Sequence, residues 1–148
     1  MLSYCQRDPR WSETEIPGST LRIGRFGCLI TAVADIANFF GQELTPLDVA
    51  RICKFTGTGL LYWSSCVFTA FRWERREYGR NDEKILEAIS DPDRAVVLEV
   101  ADRSHWVLPL VHFGAASSII FADPWLGDFA MMERYRNSIT GASYFRKK

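Results

Sequence analysis

The sequence predicts an α+β domain in which helices come first and strands follow, with the two kinds of element segregated into layers. Apolar residues recur at helical spacing in the first half of the chain, and short β-rich runs separated by polar or glycine turns follow in the second half. The 148 residues contain no internal repeat, low-complexity tract or linker-like stretch, and this length suits one domain. We therefore expect residues 1–148 to form a single domain.

The longest predicted helix begins at Cys28. Apolar side chains follow it at helical spacing, and a glycine stands where a helix C-terminus commonly places one: Leu29, Val33, Ile36, Phe40 and Gly41. Cys28 is therefore expected in the first turn of a buried helix.

Capping signals predict two further helices. In the first of them a threonine supplies a capping hydroxyl directly before a proline at the first helical position, and an acid follows in the first turn. In the second, an asparagine or an aspartate can cap an apolar-periodic run that a proline ends. The first of these helices is expected from Thr45 to about Lys54 and the second from Asn81 or Asp82 to Ile89. One more short helix is expected over residues 63–71.

Three short β-rich runs predict strands at residues 95–100, 105–111 and 118–122. Pro109 lies in the second run and cannot donate a ladder hydrogen bond, so we expect that strand to be bulged or exposed at one edge there. The mixed-sign charge run at residues 72–77 predicts a solvated strand or turn, with an anion site as the alternative.

The charge balance bears on the partners of the chain. Eighteen basic residues balance eighteen acidic ones, which removes the basic footprint that a nucleic-acid binder or a protein bound to an anionic membrane needs. No run of about 18 apolar residues predicts a membrane span. The N-terminus lacks the basic and apolar segments of a secretory signal, so a cytoplasmic location is the expectation, with export by another route left open.

The four cysteines, Cys5, Cys28, Cys53 and Cys66, are too few for a disulfide scaffold at this length and form no C-x-x-C pair. The chain has only two histidines to add to them, so we expect no metal site and no cofactor. Cys53 is expected on the apolar face of the second helix, and Cys5 in a packing role.

Cys28 is the candidate nucleophile. It opens the apolar helix, where unpaired amides and the helix dipole favour a thiolate over a thiol. Its own backbone N–H can hold a developing oxyanion, and Gly27 before it leaves room for a substrate backbone to approach. The competing interpretation is a small buried core residue, which is the usual role of cysteine.

Three other residues can complete such a site. A cysteine nucleophile needs a base, and His105 begins a strand from which its ring can reach a helix terminus. His112 lies seven residues on, an odd separation that directs it to the opposite face, so at most one histidine should face Cys28. Asp123 follows the next strand and can fix the imidazole tautomer, and the Gln6 amide can donate to an oxyanion. A surface or core histidine and an ordinary Asp-Pro turn are the competing interpretations.

Four short segments, taken in order, resemble the papain-clan cysteine peptidases related to the bacteriocin-leader (double-glycine) peptidases. They are YCQRDPRW at residues 4–11, IGRFGC at 23–28, SHWV at 104–107 and ADPW at 122–125. The resemblance covers most of the chain. It implies a papain-like fold in which N-terminal helices, with the nucleophile on a central helix, pack on a C-terminal antiparallel sheet that carries the histidine and the acid.

The resemblance also assigns roles. Cys28 matches the nucleophile, His105 the general base, Asp123 its orienting acid and Gln6 the oxyanion-hole glutamine. Twenty-two positions separate Gln6 from Cys28, more than is typical of the clan, so the intervening loop must fold back to bring the amide to the site. Pro109 also interrupts a strand that is commonly unbroken in the family.

The expected function is that of a thiol hydrolase, which cleaves a peptide or amide bond through an acyl-enzyme. The partner would be a peptide or protein substrate, and the chain would act alone or as a subunit of a larger assembly. Two alternatives stay open: a catalytically inactive papain-like binding or structural module, and a transferase or deamidase on the same scaffold.

Overall fold

A computed structural model of the chain describes residues 3–115, 118–135 and 137–148. Within these ranges it is an α+β structure with four α-helices and a six-stranded antiparallel sheet, which confirms the predicted class. None of the helices in these ranges is long and apolar enough to cross a membrane.

Two of the four helices have the capping interactions that the sequence predicted, and the short first helix was not predicted. They are α1 (Ile23–Phe26), α2 (Cys28–Phe39), α3 (Pro46–Ile52) and α4 (Asp82–Ser90). Thr45 and Asp48 form a reciprocal capping box at α3, and the Asn81 side chain accepts a hydrogen bond from the Lys84 amide at α4. The helix predicted over residues 63–71 is wrong, since only a single 3₁₀ turn (Trp63–Ser65) forms there before a strand begins.

The sheet has the order β1-β6-β2-β3-β4-β5, with every neighbouring pair antiparallel. The predicted bulge is present, because the pairing of β3 with β4 shifts register between Pro109 and Val111. Sequence analysis missed β5, which is short and mostly exposed, and β6, whose small residues show no alternation. The strands are β1 (Phe71–Tyr78), β2 (Arg94–Val100), β3 (His105–Val111), β4 (Ile120–Asp123), β5 (Asp128–Met131) and β6 (Gly141–Lys147).

Helices cover both faces of the sheet. Along β2, Ala95 and Val97 pack into the core that contains α2, whereas Val96 and Leu98 pack into a second core with Ile85 of α4. The predicted segregation into two layers therefore needs correction, since α4 forms a third layer. The uninterrupted apolar run of β2 carries this signal, because a strand buried on both faces lacks polar alternation.

The sequence analysis also missed a disulfide between Cys53 and Cys66. Cys53 lies just after α3, not on its apolar face, and Cys66 follows the 3₁₀ turn. The chain between them forms a turn in which Phe55 and Leu61 pair as an isolated antiparallel bridge. This turn brings the two sulfurs together, and their spacing in the sequence gives no sign of it.

Candidate active site

The ends of three elements meet at one place. Cys28 lies in the first turn of α2, which packs against β3; His105 is the first residue of β3, and Asp123 is the last residue of β4. Antiparallel pairing of Leu108 with Ala122 brings the end of β4 beside the beginning of β3. Topology therefore places a carboxylate, an imidazole and a helix terminus together.

Asp123 orients His105. Its Oδ1 lies 2.7 Å from His105 Nε2 and also accepts from the backbone amide of Trp125, while its Oδ2 accepts from the Tyr135 hydroxyl at 2.9 Å. The carboxyl is fully buried. Burial alone would raise its pKa, but the hydrogen bonds from His105, Trp125 and Tyr135 hold the pKa of Asp123 below its usual range. It is therefore an anion that accepts the Nε2 proton.

Cys28 lines the same cavity as this imidazole, and its interaction with the ring raises the pKa of His105. Because Asp123 occupies Nε2, the nitrogen left for Cys28 is Nδ1. Burial of the ring lowers the pKa of His105, but hydrogen bonds and charge from Asp123 and Cys28 outweigh that effect and raise it to about 9. The charged form of His105 is therefore favoured at neutral pH.

Gln6 reaches the same cleft despite the long gap in sequence. Its side chain is buried, and its Nε2 donates to the Gly24 carbonyl at 3.2 Å. A carbonyl can only accept, so this contact fixes the amide orientation and leaves the second N–H of Nε2 unused by Gly24. As the first residue of α2, Cys28 likewise has a backbone N–H that no carbonyl of its own helix can accept. Two donors are thus available beside the sulfur.

Anchors at both ends hold the N-terminal segment that carries Gln6. The backbone N–H of Gln6 donates to the carbonyl of Pro124 at 2.8 Å, and Pro124 is the residue after Asp123. The backbone N–H of Tyr4 donates to a carboxylate oxygen of Asp35 on α2 at 3.0 Å. Burial raises the pKa of Asp35 to about 7, although its hydrogen bonds act to lower that pKa. These contacts hold Gln6 at the cleft, although 22 positions in the sequence separate it from Cys28.

Gly27 has a role that differs from the one expected. A Cβ at this position would lie 2.6 Å from the Ile23 carbonyl oxygen. The absent side chain therefore lets α1 turn directly into α2. The expectation that Gly27 leaves room for a substrate backbone is not what its contacts indicate.

Sequence analysis missed Tyr135. It lies in a 3₁₀ turn (Met132–Tyr135), donates to Asp123 and lines the cleft together with Gln6, Cys28 and His105. No local motif marks it, because it reaches the site only through the return of the chain after β5. Arg134 beside it places a cation 3.8 Å from the same carboxylate.

The remaining candidates lie outside the catalytic group. The sulfur of Cys5 faces the Trp125 carbonyl at 3.8 Å, and His112 bonds to Ser90 near the opposite end of β3. In the described ranges, no group of three or more His, Cys, Asp or Glu side chains could hold a metal ion.

Comparison of the chain with protein-family models, curated proteins and solved structures finds no match. The resemblance drawn from the four sequence segments therefore stands as a hypothesis, to be weighed with the geometry of the cleft.

Proposed function

We propose that this chain is a thiol hydrolase of papain-like fold that cleaves a peptide or amide bond through a Cys28–His105–Asp123 site. One observation carries the proposal: the His105 ring lies between a buried carboxylate and the cysteine that opens α2. Only 8% of the Cys28 surface is exposed, but the residue lines an open cleft together with Gln6, and this cleft is the route by which a carbonyl would approach the sulfur.

The chemistry follows the positions of these groups. The raised pKa of His105 favours an imidazolium beside Cys28. The proposed reaction uses Cys28 as the thiolate, which is the nucleophilic form of cysteine. Attack on a carbonyl forms a C–S bond and places negative charge on the carbonyl oxygen, where the Cys28 amide and Gln6 Nε2 can donate. The imidazolium protonates the leaving amine, and the neutral ring then accepts a proton from the water that hydrolyses the acyl-enzyme.

Alkylation of the cysteines tests the nucleophile. Iodoacetamide should label Cys28 at about pH 6, where a thiol with the ordinary pKa of about 8.5 is almost entirely protonated. Cys5 is an internal control, because it also forms no disulfide and is more exposed than Cys28, but its sulfur faces a backbone carbonyl and not an imidazole. Labelling of Cys28 at that pH should fall when His105 is changed to Ala.

Peptide hydrolysis distinguishes an enzyme from a binding module. Cys28→Ala should abolish hydrolysis while leaving the fold intact, and Cys5→Ala should leave turnover in place. Uniform slow labelling of both free cysteines, or turnover retained in Cys28→Ala, would contradict the proposed function. Labelling at Cys28 with transfer to an amine in place of water would instead identify a transferase on the same site.

A further inference from the structure

Two cavities meet at Cys28 and together form the cleft. The first is lined by Gln6, His105, Trp125 and Tyr135, and Arg25 of α1 contributes a cation to it. The second shares Cys28 and Ser104 with the first and has mostly apolar walls, among them Phe26, Leu29, Leu60 and Trp106, but Arg103 also lines it. Each of the two cavities beside Cys28 thus has one arginine in its lining.

These arginines differ from most others in the chain. Most arginines in the described ranges form ion pairs with carboxylates, whereas Arg25 and Arg103 are exposed and form none there: the paired ones are Arg10, Arg22, Arg51, Arg75, Arg76, Arg80, Arg94, Arg134 and Arg146. Arg7 also forms no ion pair there and holds its guanidinium 4.7 Å over the ring of Trp125, which lines the first cavity.

No acidic side chain in the described ranges lines either cavity. Asp123 is not among the lining residues: it is fully buried and pairs with His105 and Arg134. Three of the four arginines that form no ion pair in the described ranges, Arg7, Arg25 and Arg103, lie at the cleft, although the whole chain carries as many acids as bases. A cleft lined by one sign of charge attracts ligands of the opposite sign.

We propose that the substrate segment bound in this cleft is acidic, with carboxylate side chains on both sides of the scissile bond that pair with Arg25 and Arg103. Guanidinium groups match carboxylates in a planar, two-bonded geometry, which gives direction as well as attraction. The inference rests on the proposed function, because the scissile bond is defined by attack of Cys28.

Cleavage of a mixed peptide library tests the substrate class. Peptides from a digested bacterial lysate are incubated with the wild-type protein and with Cys28→Ala, and the new termini are identified by mass spectrometry. Glu and Asp should be enriched several-fold within about two residues of the Cys28-dependent cleavage sites. The enrichment should fall on one side of the site in Arg25→Gln and on the other side in Arg103→Gln.

The matched control is Arg72→Gln. Arg72 is also exposed and unpaired in the described ranges, but it lines a different cavity beside Trp63 and Trp73. This variant should keep the wild-type preference. Cys28-dependent cleavage without acidic enrichment would overturn the inference and leave the proposed function standing.

Alkylation gives a second test that needs no turnover. Cys28 should react faster with the iodoacetate anion, relative to neutral iodoacetamide, in the wild-type protein than in Arg25→Gln or Arg103→Gln. Each arginine should change this ratio about two- to threefold, as expected for a unit charge about 8 Å away in water, and high salt should reduce the effect. A ratio unchanged by both substitutions would overturn the inference. A Cys28 inert to both reagents would overturn the proposed function and the inference with it.

Discussion

The two histidines lie near opposite ends of the same strand and have opposite surroundings. His105 begins β3 and is held between the Asp123 carboxylate and the Cys28 thiol. His112 directly follows β3; its Nε2 contacts the Ser90 hydroxyl at 2.7 Å, and its Nδ1 accepts from the Gly114 amide. One ring faces a carboxylate and a free cysteine, and the other faces neutral partners.

The difference arises from which elements end nearby. The beginning of β3 lies beside the first turn of α2 and the end of β4, where a free amide and a carboxylate are available. The other end lies beside the C-terminus of α4, which offers Ser90. The lesson is that the chemistry of a histidine is set by neighbours from distant parts of the chain.

Replacing each histidine separately with Ala should give the largest difference in kcat/KM. His105→Ala should reduce kcat/KM by about 10²–10⁴-fold, because it removes the general acid and base. His112→Ala should leave kcat/KM unchanged and cost about 1–3 kcal/mol in the free energy of unfolding, the value of its two hydrogen bonds. Steady-state kinetics with a cleaved peptide and urea unfolding measure both; equal losses in the two variants would remove the contrast.

Gln6 sharpens the comparison, because it belongs only to the His105 end. Gln6→Ala should lower kcat about 10²–10³-fold, as is typical for loss of one oxyanion donor. Gln42→Ala is the matched control, since its side chain accepts from the Thr69 and Ala70 amides outside the cleft. It should affect stability but not kcat of the folded protein. An unchanged kcat in Gln6→Ala would exclude the amide from the oxyanion hole.

Removal of the disulfide tests the wall of the cleft without changing Cys28, His105 or Asp123. Changing both Cys53 and Cys66 to Ser should cost about 3 kcal/mol in the free energy of unfolding under oxidising conditions, the expectation for a loop of this length. KM should rise, because the turn containing Leu60 forms part of the second cavity. Cys5→Ser is the unbonded control. Unfolding free energies that do not differ between oxidised and reduced wild-type protein would contradict this expectation.

The titration of His105 should give the smallest effect. Its folded pKa of about 9 exceeds the ordinary value of about 6.5, so the stability contributed by the charged ring is complete below pH 6.5 and is lost as pH rises toward 9. The alkaline limb of kcat/KM should fall near the same pH. Asp123→Asn should lower the pKa of His105, because the carboxylate stabilises the charged form of the ring. NMR titration of the ring protons checks this; an unchanged midpoint in the variant would contradict it.

Local patterns predicted much of the fold. The caps of α3 and α4, the start of α2 at Cys28 and the bulge near Pro109 all follow from interactions within a few residues, and the structure confirms them. The third layer, β6 and the disulfide depend on contacts between distant segments. Local patterns carry little information on such contacts.

The histidine that faces Cys28 shows the limit of such patterns. Strand alternation predicted that at most one of the two would do so, and His105 is the one beside Cys28. The bulge between Pro109 and Val111 lies between the histidines, however, so strict alternation does not hold along that stretch. The strand's two ends lie beside different elements, and this separation determines the outcome.

By itself, the sequence determined the fold class, the main helices and the four side chains Gln6, Cys28, His105 and Asp123 as candidates, because residue type and short-range spacing encode these features. Only the tertiary structure decided that Gln6, Cys28 and His105 line one cleft, and that Asp123 and Tyr135 join them through hydrogen bonds. It also decided that Arg25 and Arg103, which form no ion pair in the described ranges, line the two cavities at Cys28. The physical reason is distance along the chain. Hydrogen bonds and charges act over a few ångströms in space, and sheet pairing sets which distant residues come that close.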